Sequence, residues 1–333
     1  MSRPYYLFSS GHLRRRGNTL VLEVDSDGET TRKTIPVEDV ESLWVFGELT
    51  LNTKLLVFLS QNRIPVHFFN YFEFYSGSFC PREYLHSGAT VVAQARHYLE
   101  PELRLYLARQ FVDAGTFNIL KNLQYYEARG KTVAEAIESV RQLREQFAKV
   151  DTVPELMAVE GQIRETYYGT WGSIVGEAFR IDKRTRRPPS NPINALISFT
   201  NGLTYAAVLG EIYHTQLQPT ISFLHEPGER RFSLSLDLAE IFKPILADRL
   251  IFRVLNERIV QQKHFDEKLK GCYLNEEGRK KLVQIWDERL RTTVKHRNLR
   301  RKVSYRQLIR LECYKLVKHI LGDEPYKGFH IWW

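Results

Sequence analysis

The stretch SFLHEPGERRFSLSLDLAEIFKP, residues 222 to 244, sets His225 in a turn ahead of a helical pattern that carries Asp237 and Glu240 among leucines. In LSLDLAEIFKPILADRLIF apolar residues point to most sides, so the helix is expected to be buried, with the two acids on one face. Ser233 or Ser235 is a candidate N-cap, which would put Asp237 in the first turn, where the helix dipole favours an acid by about 0.3–1 kcal/mol. Glu240 has no such local reason, being further in and followed by Ile241 and Phe242. Pro244 lacks the amide hydrogen that would bond the Glu240 carbonyl, so a bend is expected there.

A second acid stands where a core should be. From Pro154 onward a spacing of about 100° per residue aligns Leu156, Ile163, Tyr167, Trp171 and Ile174, and Glu160 falls within that stripe. A lone buried carboxylate costs several kcal/mol, so Glu160 needs a partner, and Gly161 beside it leaves room for a ligand or a backbone. Singly, each residue has an ordinary reading: a Glu–Arg pair for Glu160, a hydrogen-bonded structural histidine for His225, a snorkelling lysine for Lys243. Together, one imidazole and two or three carboxylates in apolar settings compose a divalent-metal site. The HExxH arrangement is excluded, because Pro227 and Gly228 break the helix and position 229 is Glu. One imidazole with oxygen ligands suits magnesium or manganese, while zinc fits a phosphodiester partner less well. Lys243, one turn past Glu240, is placed to meet a phosphate.

The elements that must position these residues divide the chain in two. Residues 1–85 show short β-branched and aromatic runs between turn signals, with TKLLVFLSQN at 53–62 as a helical insertion and DSDG at 25–28 as a hairpin turn. The expectation is a small, mainly antiparallel β domain. Over 86–333 the period rises to nearly four. Helices are expected over 88–129, 132–149, 154–176, from 193 past 210, over 236–260 and near 277–295 and 304–321. The fold class is therefore α+β, with an N-terminal β domain and a larger all-α domain holding the site.

Between two of the helices, KRTRRPP groups Lys183, Arg184, Arg186 and Arg187 in a loop stiffened by two prolines, a candidate phosphate contact. Net charge +9 and a pI near 9.3 point to a polyanionic partner such as nucleic acid. Cys80, Cys272 and Cys313 lie too far apart for a CxxC knuckle and, being three, offer no even-numbered disulfide framework, and no run is apolar for the roughly 18 residues a membrane span needs. No secretion signal is recognisable, so a reducing cytoplasm is the expected setting. The C-terminal GFHIWW is expected to dock on this chain or on a partner.

Four blocks in order, ELMAVEGQIRETYY, RTRRPPSNPINALISF, FLHEPGERRFSLSLDLAEIFKP and DRLIFRVLN, resemble the CRISPR-associated adaptation integrase family. The likeness extends into the β domain through YLFSSG, VFGE and FLSQNRIPVHFF. The resemblance implies a homodimer joined through the β domains, with one Mg2+ or Mn2+ site in each helical domain. It makes Glu160, His225 and Glu240 the catalytic metal ligands, Asp237 a supporting or shared ligand and Lys243 a basic residue next to DNA. Many relatives carry aspartate where Glu240 stands. The implied function is insertion of spacers into a CRISPR array in a prokaryotic cytoplasm, together with a dimer of a small ferredoxin-like partner. A 3′-hydroxyl attacks a phosphodiester at the repeat boundary, and the same site cleaves branched and other DNA. The residues alone also admit a non-catalytic basic DNA-binding scaffold whose acids pair with buried arginines such as Arg249 or Arg253. A metal-dependent RNase or a nuclease of repair junctions is a further alternative.

Overall fold

The computed structural model describes every residue except 1, 27, 28, 71, 73, 82–84, 86, 187, 230, 231, 269, 270, 298 and 333, and only the backbone of 26, 267 and 268. The N-terminal part contains β1 (Arg3–Leu7), β2 (Gly11–Arg16), β3 (Thr19–Ser26), β4 (Glu29–Pro36), β5 (Val40–Val45), β6 (Leu49–Thr50), α1 (Thr53–Gln61), β7 (Val66–Phe69) and β8 (Tyr75–Phe79). They form two four-stranded sheets, β1-β5-β7-β8 and β4-β3-β2-β6. β2 and β6 had too little apolar alternation to be read from sequence.

The expected antiparallel domain is in fact mixed. β5 pairs in parallel with β1 and with β7, and β2 in parallel with β6, whereas β2–β3, β3–β4 and β7–β8 are antiparallel. The reason is connectivity: α1 carries the chain over from β5 to β7, and a crossover of that kind returns a strand in the same direction. Ser26 lies opposite Glu29, while Asp27 and Gly28 of the expected hairpin turn lie outside the described residues.

Strand alternation ties the sheet to the helices. Leu43 and Val45 of β5 enter a core with Leu55 and Leu59 of α1, while Trp44 between them enters the helical core. Phe69 joins it there, and Phe46 just past β5 meets Phe199 at 5.9 Å.

The helical part runs α2 (Gly88–Leu99), α3 (Pro101–Glu127), α4 (Ala134–Glu145), α5 (Val153–Gly169), α6 (Trp171–Val175), α7 (Pro192–Ile212), α8 (Ser233–Lys243) and α9 (Arg249–Asn256). After them come β9 (Phe265–Lys268), β10 (Gly271–Leu274), α10 (Glu276–Arg291), β11 (Thr293–Lys295), β12 (Lys302–Ser304) and α11 (Tyr305–Ile320). The single helix expected over 88–129 is two, divided at Glu100-Pro101, because the residue before a proline is forced out of the helical region; Glu100 has ψ 110°. The two short hairpins β9–β10 and β11–β12 interrupt what was read as all-helical.

α8 packs between α3 and α7 and is buried almost throughout. Gly115 makes this approach feasible: a Cβ there would lie 3.0 Å from the Glu240 carbonyl oxygen. The bend expected at Pro244 takes the form of a π-helical turn, Pro244–Asp248, leading straight into α9. Carbonyls around this turn are met by side chains. Asn118 donates to Ile241 O at 3.0 Å, Asn122 to Pro244 O at 2.8 Å and Arg289 to Ile245 O at 2.6 and 2.9 Å. The C-terminal tail docks on its own chain. Phe329 is buried and stacks on Phe242 of α8 at 5.9 Å, and Asn118 links the tail by donating to Phe329 O and accepting from Ile331 N.

Candidate functional site

α5 starts at a capping box. The Thr152 hydroxyl accepts from Glu155 N, the Glu155 carboxylate accepts from Thr152 N, and Pro154 supplies a preset φ. Leu156, Val159, Ile163 and Tyr167 then go inward, leaving Glu160 and Arg164 one turn apart at the edge of the buried face. Arg164 Nε donates to Glu160 Oε1 at 2.8 Å, and its Nη2 reaches across to Glu240 Oε2 on α8. Lys243 Nζ bonds the other Glu240 oxygen. A cavity of about 10 Å³, room for roughly one water-sized occupant, lies between these groups and is lined by Gly115, Thr116, Ile163, Glu160, Arg164 and Glu240. Gly161 plays no part in it: the residue is exposed, and a Cβ there would meet nothing within 4 Å.

Asp237 works on a different task. α8 has Phe232 at its N-cap and no acid in its first turn, so neither Ser233 nor Ser235 caps it and the expected dipole reason for Asp237 does not apply. Its fully buried carboxylate instead closes the loop before α8. Oδ2 accepts from Phe223 N at 2.6 Å and Leu224 N at 3.0 Å, and Oδ1 accepts from His225 N at 3.0 Å and faces His225 Nδ1 at 2.8 Å. Ser222 Oγ donates to His225 O at 2.6 Å, and Arg104 holds the loop through Phe223 O and Glu226. With a carboxylate on Nδ1, the proton belongs there and Nε2 carries the lone pair.

Electrostatics tie the groups together. Burial alone would push the Glu240 carboxyl up, but Lys243, Arg164 and His225 more than offset it and hold the group well below the usual carboxylate range. Burial disfavours protonation of His225, yet the hydrogen bond and charge of Asp237, with Glu240 beyond, outweigh it and raise the imidazole. Asp248, fully buried in the π turn, is pushed up to about 7 by burial against the pull of Arg164 and Tyr167.

Glu160 and Glu240 thus meet through Arg164, and His225 stands on Asp237 within electrostatic reach of Glu240. Among the described residues no three His, Cys, Asp or Glu side chains converge closely enough to hold an ion as they stand, and cations take both Glu240 oxygens. The donors nonetheless fit a hard divalent cation: two carboxylates at one small cavity, and an imidazole whose far nitrogen is oriented by a buried carboxylate. Arg249 and Arg253 are not the partners of these acids. Arg249 donates to Asn122 at 2.6 Å and Arg253 to Glu257 at 3.2 Å.

Arg164 was missed in the sequence, although its place four residues after Glu160 on a helix was a usable signal. Asn118, Asn122 and Asp248 offered none. Of the basic loop, Lys183 and Arg186 are exposed, whereas Arg184 is turned inward, donating to Asn194 at 2.9 Å and Ser198 at 3.0 Å. Arg187 lies outside the described residues.

The family model for CRISPR associated protein Cas1 matches residues 5–288, a stretch that holds α5, the His225 loop and α8. The chain is 50% identical over 331 residues to CRISPR-associated endonuclease Cas1 3 of Thermodesulfovibrio yellowstonii, covering 99% of this chain and 100% of the relative. The chain belongs to the Cas1 family. A solved Cas1 protein from Thermotoga maritima superposes with TM-score 0.89 at 45% identity, covering 98% of this chain and 100% of that one. The Cas1 fold is shared more widely: a casposase bound to integration product matches with TM-score 0.85 at 18% identity, over 98% of this chain and 92% of that one. The α+β class and the resemblance read from the sequence agree with this Cas1 assignment.

Proposed function

We propose that this Cas1-family chain is a divalent-metal-dependent DNA integrase and endonuclease of CRISPR adaptation. The observation that supports the reading best is the meeting of Glu160 and Glu240 at one small cavity beside a carboxylate-oriented His225. Glu160, His225 and Glu240 would hold Mg2+ or Mn2+. Once bound, the ion supplies Lewis-acid stabilisation of a scissile phosphate.

The remaining work belongs to the chain's own residues. Asp237 fixes the tautomer and angle of His225 and is a positioning group, since its own oxygens already serve three backbone amides and the ring. Arg164 and Lys243, which neutralise the acids here, are free to turn to phosphate oxygens when another cation takes their place. Attack by a 3′-hydroxyl forms one phosphorus–oxygen bond and breaks another, releasing a new 3′-hydroxyl. No external energy source is needed for the exchange.

The same reading makes residues 1–85 the dimerising domain and 86–333 the catalytic one. It makes Lys183, Arg186, Arg187 and Lys243 DNA contacts, and a small ferredoxin-like dimer a partner of the homodimer. A second reading, a non-catalytic DNA-binding scaffold, is favoured by the ion pairs of Glu160 and Glu240 taken alone. Calorimetric Mn2+ titration and integration of a duplex fragment into a repeat-bearing plasmid separate the two. Glu160→Ala, His225→Ala and Glu240→Ala should each lower integration about 100-fold or more and weaken Mn2+ binding. Full activity in these variants, or none in the wild type with either metal, sinks the integrase reading.

A further inference from the structure

Past residue 288, where the family match ends, α10 runs into the β11–β12 hairpin before α11 begins. Val303 is buried and Val294 packs on the core, so that face of the hairpin is anchored. Five of its other described residues are cationic. Lys295, Arg297, Arg300, Arg301 and Lys302 are all exposed, and among the described residues none of the five forms an ion pair.

The pairing register adds a second observation. Lys295 lies directly opposite Lys302. Like charges in facing positions destabilise a two-stranded ribbon, so this hairpin holds an arrangement that a solvated surface gives no reason to keep. The backbone at the described residues of the tip is hydrogen-bonded, with His296 N donating to Arg301 O at 2.9 Å and Arg300 N to His296 O at 3.0 Å. The His296 imidazole is depressed by burial and then by the charges of Lys315 and Arg301, so the positive field extends onto α11.

The hairpin is also linked to the helix that carries Glu240. The Arg297 guanidinium lies 5.5 Å from the Trp332 ring, Trp332 lies 5.3 Å from Phe329, and Phe329 stacks on Phe242 at 5.9 Å. A ligand held by the hairpin is therefore held in a fixed relation to α8.

We propose that the β11–β12 hairpin is a clamp for the phosphate backbone of duplex DNA, made by Lys295, Arg297, Arg300, Arg301 and Lys302 and secured by Trp332. The choice of DNA as occupant rests on the proposed integrase function and on charge: five unpaired cations on a narrow ribbon match a line of phosphates. The site carries no sequence information, because it presents charge rather than a base-reading surface.

Binding of a fluorescein-labelled duplex is measured by anisotropy between about 50 and 200 mM salt. The variant Lys295→Gln/Arg301→Gln/Lys302→Gln should lessen the slope of log K against log salt by about 2–3 and weaken binding at the lower salt at least tenfold. Its Tm should be unchanged or higher. Lys302→Glu alone turns the repulsive cross-strand pair into an attractive one, so it should raise Tm while still weakening binding. An unchanged slope and affinity in both variants overturns the clamp while leaving the integrase reading intact. The converse failure is separate: normal DNA binding with full integration by Glu160→Ala removes the integrase reading and leaves the clamp. Wild type that does not bind the duplex removes both.

Discussion

At the scale of single residues, polar side chains within the helical core do more than fill space. Asn118 is fully buried, and its amide serves three backbone groups at once: Ile241 O, Phe329 O and Ile331 N. One residue thus fixes the backbone next to Glu240 and the tail behind it. Asn118→Leu keeps the volume but leaves those groups unmet, so a loss of about 3 kcal/mol is expected in urea denaturation. A loss under about 0.5 kcal/mol would mean that the tail docks through Phe329 and Phe242 alone. Asn118 carried no sequence signal, since an asparagine mid-helix reads as a weak former and nothing local shows which carbonyls it will meet. Glu160 and Glu240, by contrast, were legible because a charge inside an apolar stripe contradicts its surroundings.

Between elements, α3 is the spine on which α4, α8 and the tail are hung. Asp113 of α3 binds Arg144 of α4 at 2.7 and 3.0 Å and His330 of the tail at 3.1 Å. Burial would raise this carboxyl, but His330 and Arg144 outweigh it and hold it at about 2. A depressed acid contributes stability above its unfolded value of about 3.9 and loses it as pH falls toward the folded one. The stability of wild type should therefore fall more steeply than that of Asp113→Asn between about pH 4 and 2, as followed by circular dichroism. Equal slopes would remove Asp113 as the link.

Boundaries at this scale were readable where a side chain acts on its own backbone. Pro154 marked a start and a bend at Pro244 was expected, whereas the break at Pro101 obeys the same local rule but was not expected, the helix having been read through it. The form of the Pro244 bend, a π turn supported by Asn122 and Arg289, was not expected either, because those supports come from α3 and α10.

In the whole molecule, the β sheet and the helical part are joined by a buried ion network. Glu211 of α7, without solvent exposure, binds Arg306 at 2.7 Å and Arg310 at 2.5 Å, and Arg306 also binds Glu41 of β5 at 2.6 Å. Burial raises both acids, yet Glu211 ends below its ordinary value and Glu41 above it, so Glu211 takes the larger share of the arginine charge. Glu211→Gln should cost about 3 kcal/mol by leaving the two guanidinium groups with Glu41 as their one carboxylate partner. Hydrogen exchange should show β5 opening before α7; uniform protection would place the junction elsewhere.

By itself the sequence determined the change of fold class after residue 80, the stripe that buries α5 and the acids that do not suit their helices. These follow from local periodicity and from the cost of burying charge, which any compact form of the chain must respect. Tertiary structure alone decided that Arg164 and Lys243 stand on Glu240, that Asp237 serves the His225 loop rather than a helix end, and that the parallel strands flank β5. It also decided that Arg184 turns inward while the hairpin cations turn out. Arg164 and Glu240 are 76 positions apart. Which cation meets which acid over such a span depends on how α3, α5 and α8 pack, and no window of sequence contains all three.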